Sequence, residues 1–500
     1  MFIDLNEVDG AAVDKLYDIC ICGAGVAGIT LALELAERFR VILLEGGGMQ
    51  VSAESQRLYQ GEIAGRDYFD LAATRLRCLG GSSNHWAGWC RPLDAHDFES
   101  KPHHEFSGWP IGHEDLKPHL ERACDILDIP WPAEADTTHP DAIRSQIDRS
   151  DDLQAIDFWW SAPTRVGAKY EQTIRSNPNL TCLLHANLTD IRLRGDGLAV
   201  ESFEVRDYSG KPVSIRADRF ILATGGIENP RVLLNCNSQL PDGIGNSEGL
   251  VGRFFTEHPH HLVGNFILED HIREQLAESW VDYWSSLRFF SPTPAFMTRE
   301  RILNFGLRFI PSQTSLTGGV RGALKDLVCR AAVLESTAEW VSGEDVNCFD
   351  GAIRIAFEQA LNIDSRVRLS GKTDRFGRRR ALLDWQLGPL DRRTIRAAAL
   401  RFGEVFALSG LGRLKVEDWI LSDEAEFPGI GEDETAGHHH MCTTRMGTTP
   451  QDGVVDSTQK VFGLDNFYIA GSSVFSTAGH ANPTFTIVQM SLRLAKHLKR

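Results

Sequence analysis

Apolar and polar positions near the start of the chain follow the period of a strand, then of a helix, then of a strand again. Leu16 to Cys22 (LYDICIC) is a compact apolar run, short enough for a buried parallel strand. A glycine-rich turn from Gly23 to Gly28 comes next, and apolar residues then recur at helical spacing to about Phe39. Val41 to Leu44 is a second apolar strand. The pattern predicts a βαβ unit, which implies a parallel sheet with helices on its faces.

Two later segments repeat the pattern of a strand that runs into a tight turn: Arg219 to Gly226 (RFILATGG) and Asn466 to Gly471 (NFYIAG). The chain between about 262 and 434 differs, because it holds alternating, strand-like pieces such as Ala352 to Phe357 and Arg366 to Leu369. Aromatic residues accompany these pieces, among them Trp280, Trp284, Phe289 and Phe290. No internal repeat and no Pro/Ser-rich linker separates two independent halves.

A chain of 500 residues is long for a single core, so we predict two intertwined domains. The predicted fold is mixed α/β, with a Rossmann-like nucleotide domain and an inserted substrate domain built on a mostly antiparallel sheet. Residues 1–105, 170–261 and 435–500 are assigned to the nucleotide domain. Residues 106–169 and 262–434 are assigned to the substrate domain.

Composition and charge narrow the class of protein. Hydrophobic residues make up 42% of the chain and charged residues 24%, which is ordinary for a globular protein. The formal net charge of -16 argues against nucleic acid or an anionic membrane as a partner. No apolar run reaches the length of a membrane span, and no secretory signal is visible, so a cytoplasmic enzyme is expected. The ten scattered cysteines form no CxxC pair and are expected to be reduced, buried thiols.

The glycine turn has the context of a dinucleotide-binding fingerprint. Gly23, Gly25 and Gly28 stand between a predicted strand and helix, and Glu45 ends the next strand. The glycines let the backbone approach a pyrophosphate, and the start of the helix faces its charge. Glu45 can accept hydrogen bonds from ribose hydroxyls. A glycine turn in some other α/β protein is the alternative.

Later strand ends favour a flavin over NAD. Ala223 and Gly225 end one strand, and Gly471 and Ser472 end another, so that a long cofactor can pass closely over small residues. An apolar helical pattern follows Asn482 and Pro483 near the end of the chain. Asn before Pro is favourable chemistry for a helix start, so Asn482 is either simply an N-cap or a residue at the cofactor. The positive end of this helix would face the electron-rich pole of a reduced flavin.

Two histidine clusters are candidates for chemistry. His438 to His440 precede a Met-Cys-Thr-Thr segment, and His258, His260 and His261 lie in the sequence EHPHH. Neither cluster has cysteine partners or a recognised ligand spacing, so no metal site is predicted. A single histidine is usually a satisfied core or surface residue, and a comparison with known families is needed to single one out.

Taken together, these motifs resemble those of the glucose–methanol–choline (GMC) oxidoreductase family over nearly the whole chain. The resemblance rests on several segments: GAGVAG with Glu45, LGGSSNHW (Leu79 to Trp86), ATGGIENP (Ala223 to Pro230), GRFFTEH (Gly252 to His258), HHMCTTRMG (His439 to Gly447) and HANPT (His480 to Thr484). It implies an FAD-binding domain with a mostly antiparallel substrate domain over the flavin. The motifs are most similar to those of pyranose oxidase and bacterial FAD-dependent sugar and glycoside dehydrogenases.

The family's base is the histidine of an H-x-x-G-T stretch, which corresponds to His439, and its partner corresponds to Asn482. Cys442 stands where that stretch usually has glycine, and a local backbone adjustment is expected there. His85 matches the position at which pyranose oxidase attaches its flavin covalently. Non-covalent FAD is favoured here, with a link through His85 as the alternative. The residues expected to bind FAD are Gly23, Gly25, Gly28, Glu45, Gly80, Gly81, Ser82, Asn84, His85, Leu188, Ala223, Gly225, Gly471, Ser472, Pro483 and Thr484.

The resemblance predicts FAD-dependent oxidation of an alcohol to a carbonyl compound, on a secondary hydroxyl of a sugar or glycoside. The expected partners are the alcohol and either oxygen or a soluble electron acceptor. Residues 161–169 lack the cysteines with which membrane-linked relatives hold an iron–sulfur cluster, so no such cluster is expected. Three alternatives remain: a non-sugar alcohol such as a polycyclic natural product, a hydroxynitrile lyase with structural FAD, and a non-catalytic flavoprotein. The sequence does not decide between oxidase and dehydrogenase.

Overall fold

The computed structural model describes residues 1–8, 10–131, 142–276, 288–311, 349–424, 426–429 and 437–500. Within them the chain has a mixed α/β fold, as predicted, and two large sheets line one cavity. Trp280 and Trp284, which the sequence places among the substrate-side aromatics, lie outside the described residues. Among the helices that are described, none is long and apolar enough to cross a membrane.

The elements are numbered in chain order. The strands are β1 (Phe2–Asp4), β2 (Leu16–Cys22), β3 (Val41–Leu44), β4 (Glu62–Gly65), β5 (Trp89–Cys90), β6 (Leu153–Asp157), β7 (Trp159–Trp160), β8 (Leu180–Leu184), β9 (Asn187–Leu193), β10 (Val200–Arg206), β11 (Pro212–Leu222), β12 (His260–Leu268), β13 (Arg288–Pro292), β14 (Phe305–Pro311), β15 (Gly351–Phe357), β16 (Arg366–Thr373), β17 (Arg379–Trp385), β18 (Gly412–Val416) and β19 (Phe467–Ile469). The helices are α1 (Val26–Leu35), α2 (Ala53–Gln56), α3 (His113–Leu116), α4 (Leu120–Leu127), α5 (Ala142–Ile147), α6 (Val166–Ser176), α7 (Glu228–Asn235), α8 (Asp270–Leu276), α9 (Pro294–Glu300), α10 (Pro389–Leu408), α11 (Asp418–Leu421) and α12 (Pro483–Leu498).

The first sheet contains the βαβ unit and has the strand order β1-β8-β3-β2-β11-β10-β9, with β19 paired to β11. The parallel strands of this sheet are β1, β8, β3, β2, β11 and β19. β10 pairs antiparallel with β11, and β9 pairs antiparallel with β10. β2 and β3 have the predicted bounds. α1 ends at Leu35, a few residues before the predicted end near Phe39, because the chain turns there and the Arg38 and Phe39 amides both bond to the Leu35 carbonyl.

The second sheet is antiparallel and has the order β18-β12-β15-β14-β13-β6. Its strands bury alternate residues, as in β15, where Ile353 and Ile355 pack with Phe402 and Phe406 of α10 in one apolar cluster. The intervening residues of β15 point the other way. Because α10 covers one face of this sheet, the opposite face is free to line the cavity.

The strands of the first sheet all come from the segments assigned to the nucleotide domain. β12 crosses the predicted boundary at 261, and the small β16-β17-β4 sheet pairs residues 62–65 with residues from the predicted substrate segment. A two-stranded ribbon joins β5 to β7. The division into two domains stays a prediction, and its boundary at 434 lies outside the described residues.

α12 packs along α1 beneath the first sheet, where Leu494 and Leu498 share a buried cluster with Ile29 and Leu31. The apolar spacing after Pro483 predicts this helix, and proline at the first helical position favours its start. The packing of α12 on α1 brings the start of the last helix to the same cavity as the glycine turn.

Candidate active site

A cavity of about 670 Å³ lies at the carboxyl ends of the parallel strands of the first sheet. Cys22 ends β2, Glu45 follows β3, Ala223 follows β11, and Gly471 follows β19, and all four line the cavity. Ligands of parallel α/β sheets bind at this edge, because the strand ends and helix starts converge there. The second sheet covers the other side with residues of β12, β14 and β15.

The glycine turn has the geometry that a pyrophosphate requires. Gly23 has φ +109, and a Cβ at Gly28 would lie 1.8 Å from the Gly23 carbonyl oxygen. Gly25 has no neighbour within 4 Å of a Cβ position and faces the cavity. It also precedes α1 without a side-chain cap, which leaves the first amides of the helix free for an anion. These residues fit the dinucleotide that the fingerprint implies.

Glu45 lines the cavity beside this turn and is 6% exposed. One carboxylate oxygen accepts from the Ala24 amide at 3.1 Å, and the other accepts from the Gly47 amide at 2.8 Å. The carboxylate is therefore held in place by the turns on both sides. Each oxygen retains a lone pair for a further donor such as a ribose hydroxyl.

The other predicted cofactor residues divide into two groups. Gly25, Gly225 and Gly471 have open space at the Cβ position, and the last two have φ +93 and +101. The predicted residues that line the cavity are Gly23, Gly25, Glu45, Gly81, Ser82, His85, Leu188, Ala223, Gly225, Gly471, Ser472, Pro483 and Thr484, together with His439 and Asn482. Gly28, Gly80 and Asn84 stand behind this layer: Gly80 packs against Gly167, and the Asn84 amide donates to the Leu79 carbonyl at 2.9 Å.

His439 projects into the cavity from the segment before β19, and a chain of hydrogen bonds assigns its tautomer. His258 Nε2 lies 2.8 Å from the Gly479 carbonyl oxygen, which can only accept, so this nitrogen carries the proton. Burial lowers the pKa of His258 to about 4, so its ring is neutral and its Nδ1 is an acceptor. His439 Nδ1 lies 2.9 Å from His258 Nδ1 and must donate a hydrogen bond to it.

The proton of His439 is thereby placed on Nδ1, and Nε2 is left as the unprotonated nitrogen. Burial and the neighbouring His258 lower the pKa of His439 well below its usual value, which keeps the ring neutral. An unprotonated imidazole nitrogen beside a cavity is suited to accept a proton from a bound molecule.

Glu257 supports this arrangement from behind. Its carboxylate accepts the His439 backbone amide at 2.7 and 2.9 Å and the Tyr68 hydroxyl at 2.5 Å. Because the Tyr68 hydroxyl donates to Glu257, it can accept from His440 Nε2, which lies 3.0 Å away. Burial raises the pKa of Glu257 to about 7. Glu257, Tyr68 and His258 are positioning residues, and sequence reasoning missed Glu257 and Tyr68.

Cys442 has a backbone conformation that is uncommon for a residue with a side chain. It has φ +68, in the left-handed region that glycine favours, and its thiol is fully buried. A glycine would adopt this conformation without strain, and the expectation of a local backbone adjustment stays a prediction. Its Sγ accepts a hydrogen bond from Thr256 Oγ1 at 3.1 Å, which provides a partner for the substituted side chain.

Asn482 occupies the N-cap position of α12, as predicted, but its side chain makes no capping hydrogen bond. The simple capping role is therefore wrong, because the side chain accepts no hydrogen bond from the first amides of the helix. The side chain lines the cavity instead, and it has no hydrogen-bond partner among the described residues. It is free to hydrogen-bond a ligand.

His480, two residues earlier, is 2% exposed, and both its ring nitrogens lack a partner within the described chain. Burial holds its pKa well below the usual value. Potential ligand atoms of His480, Asp94 and Asp97 lie within 4.8 Å of one another. The two carboxylates already have protein donors, since Asp94 accepts from Arg91 and Asp97 accepts from the Asn304 amide and the Asp94 backbone.

Further residues line the cavity that the sequence analysis did not assign to the cofactor or to catalysis. Arg75 pairs with Glu228 at 3.4 Å near the glycine turn, and Arg77 donates to Asn187 at 3.0 Å. On the opposite wall are residues of the second sheet and aromatic residues nearby: His260, Gly306, Arg308, Arg354, Ala356, Trp89, Phe158 and Phe289. The alternating pattern of Ala352 to Phe357 contained one signal, because its polar position, Arg354, had to face away from the core.

Comparisons with known proteins agree with this geometry. Residues 362–491 match the model of a family described as GMC oxidoreductase. The chain is 22% identical to 2-methyl-1,2-propanediol dehydrogenase of Mycolicibacterium austroafricanum, over 97% of this chain and 95% of the relative. It is 23% identical to paromamine 6'-oxidase of Streptomyces fradiae, over 97% and 91%. The fold is similar to that of pyridoxine 4-oxidase from Mesorbium loti, with a TM-score of 0.57, 17% identity, and coverage of 96% of this chain and 99% of that one.

Proposed function

We propose that this chain, whose residues 362–491 match the GMC oxidoreductase model, uses FAD to oxidise a sugar or glycoside at a secondary hydroxyl. The observation that carries the proposal is the unprotonated Nε2 of His439 at the cavity. A relative named for the dehydrogenation of a diol supports a hydroxyl compound as substrate.

The cofactor would lie along the edge of the first sheet. The amides at the start of α1 would bind its pyrophosphate, Glu45 would accept from its ribose, and Gly225 and Gly471 would leave room for close approach. We propose that binding is non-covalent, although His85 lines the cavity. When bound, FAD supplies the acceptor for the hydride of the alcohol carbon.

The protein's own residues prepare the alcohol for oxidation. His439 Nε2 takes the hydroxyl proton, while its Nδ1 proton stays in the hydrogen bond to His258 and holds the ring in orientation. The Asn482 amide donates a hydrogen bond to the developing alkoxide. Trp89, Phe158 and Phe289 surround this end of the cavity and exclude water from the reacting group.

Anaerobic reduction of the bound flavin, followed in the visible spectrum with sugars, glycosides and polycyclic alcohols, tests the proposal. His439→Ala should retain FAD yet reduce it roughly two to four orders of magnitude more slowly, which is what a positioned base contributes. The deficit should shrink as pH rises, because the substrate hydroxyl then ionises without a base.

His438→Ala is the matched comparison, since His438 also lines the cavity and packs edge-on against Phe69 at 4.7 Å. It should lose far less rate than His439→Ala. Equal rates for His439→Ala and the parent would refute the base assignment and make His480 the next candidate.

Cyanide release from hydroxynitriles without bleaching of the flavin would identify a lyase. Reoxidation of the reduced flavin with air distinguishes an oxidase from a dehydrogenase.

A further inference from the structure

The cavity face of the second sheet has two rows of residues. β12, β14 and β15 pair so that His260 and Gly306 both lie opposite Ala356, and Arg308 lies opposite Arg354. All five residues line the cavity. Residues two apart on a strand share a face, so the arginine row lies roughly 7 Å along the strands from the row with Gly306 and Ala356.

The row formed by His260, Gly306 and Ala356 lies at the end of the cavity near His439, where we propose that the alcohol is oxidised. A Cβ at Gly306 would lie 3.3 Å from His480 Cδ2, and His260 is two residues from His258, which orients His439. Gly306 and Ala356 have little or no side chain, so this row leaves space over the site of oxidation. A substrate bound there has the arginine row within its length.

Arg308 is a half-buried cation without a counter-ion in the described part of the chain. No carboxylate of a described residue lies within ion-pair distance of its guanidinium, which rests over the Trp89 ring at 4.8 Å. Burial and the positive charge of Arg354 lower its pKa to about 10, which still leaves it charged at neutral pH. Buried charges are normally paired, because an unpaired one is costly to desolvate.

The acidic residues that line the cavity do not supply a counter-ion for Arg308. Glu45 is held by backbone amides at the glycine turn, and Glu228 is bound by Arg75 and Arg231. His260 is neutral, since burial lowers its pKa to about 3. Among the described residues, Arg308 therefore keeps an uncompensated positive charge on this wall, although the whole chain has a formal net charge of -16.

We propose that the substrate is an anionic alcohol, a sugar or polyol bearing a carboxylate or phosphate, whose oxyanion binds Arg308 beside Arg354. The planar guanidinium groups match the geometry of either oxyanion. This proposal rests on the proposed function and adds the charge of the substrate.

Matched sugars test the proposal in the holoenzyme: glucose, glucuronate and glucose 6-phosphate as substrates for anaerobic flavin reduction. One of the two acidic sugars should have a kcat/KM at least about ten times that of glucose, and the stronger of the two identifies the oxyanion. Arg308→Leu should reduce this preference on the order of 10- to 100-fold, mainly through KM. Arg308→Lys should retain part of it, because it keeps the charge without the planar fork.

Arg413→Leu is the control, because Arg413 is an exposed arginine of β18 in the same sheet and does not line the cavity. It should keep the parent's preference. Flavin content and circular dichroism show whether each variant is folded. If glucose reduces the flavin as efficiently as both acidic sugars, or if Arg308→Leu keeps the preference, the proposal is overturned.

Calorimetric titration of the holoenzyme with glucuronate and with inorganic phosphate separates this proposal from the proposed function. Arg308-dependent binding, at least about tenfold weaker in Arg308→Leu, with no reduction by any alcohol would retain the anion site and refute the oxidation. Reduction of the flavin by neutral alcohols, without Arg308-dependent binding of an anion, would support the oxidation and refute the anion site. Raised salt should weaken the binding of either anion.

Discussion

At the scale of single residues, Cys442 combines a glycine-like backbone with a buried side chain. An L-residue in the left-handed region costs roughly 1–2 kcal/mol, and both cysteine and alanine incur that cost. Cys442→Gly should therefore be more stable than Cys442→Ala by about 1 kcal/mol, the reverse of the usual order. Urea denaturation followed by circular dichroism gives the midpoints that measure the difference.

Cys236 provides the control, because it is equally buried and has φ -81 at the end of α7. There the alanine variant should be the more stable, since glycine only adds freedom to the unfolded chain. If glycine were the less stable substitution at both positions, the strain assigned to Cys442 would be absent.

At the scale of elements, the start of α12 delivers a side chain to the cavity rather than capping its own helix. Asn482→Ala should therefore change the free energy of unfolding by less than about 0.5 kcal/mol, because no capping hydrogen bond is lost. Flavin reduction should nevertheless slow, since the amide that we propose binds the developing alkoxide is gone. Stability from denaturation and rate from anaerobic mixing are measured on the same preparation.

Thr293 at the start of α9 is the matched N-cap, because its hydroxyl does accept from the Phe296 amide at 3.2 Å. Thr293→Ala should cost about 1 kcal/mol of stability. An equal stability loss in Asn482→Ala would restore the capping role and weaken the assignment of Asn482 to the alkoxide.

At the scale of the whole molecule, one cavity joins both large sheets, so a bound cofactor contacts residues that are far apart in the chain. Removing FAD should lower the melting temperature, and adding it back should raise that temperature with concentration. A ligand at 100 times its Kd stabilises the folded state by about 2.7 kcal/mol. FMN, which lacks the pyrophosphate that the glycine turn would bind, should stabilise less. Stabilisation by NAD but not by FAD would contradict the cofactor assignment.

Much of the cofactor edge was predictable because its signals are local. The apolar runs of β2 and β3, the glycine turn between them and Glu45 after β3 follow from side-chain period and backbone freedom alone. α12 was likewise predictable from its apolar spacing and Pro483. The positive φ at Cys442 was signalled only by the glycine that the family usually has there, because a single φ angle depends on how the surrounding backbone packs.

The sequence by itself thus determined the βαβ unit, the start of the last helix and, through the resemblance of its motifs, His439 as the candidate base. Only the tertiary structure decided how that base is prepared, because His258 and His439 are 181 residues apart and meet through folding. It also decided that Arg308 lies opposite Arg354, since strand register sets which side chains share a face. Local periodicity specifies elements, whereas contacts between distant elements depend on the packing of the whole chain.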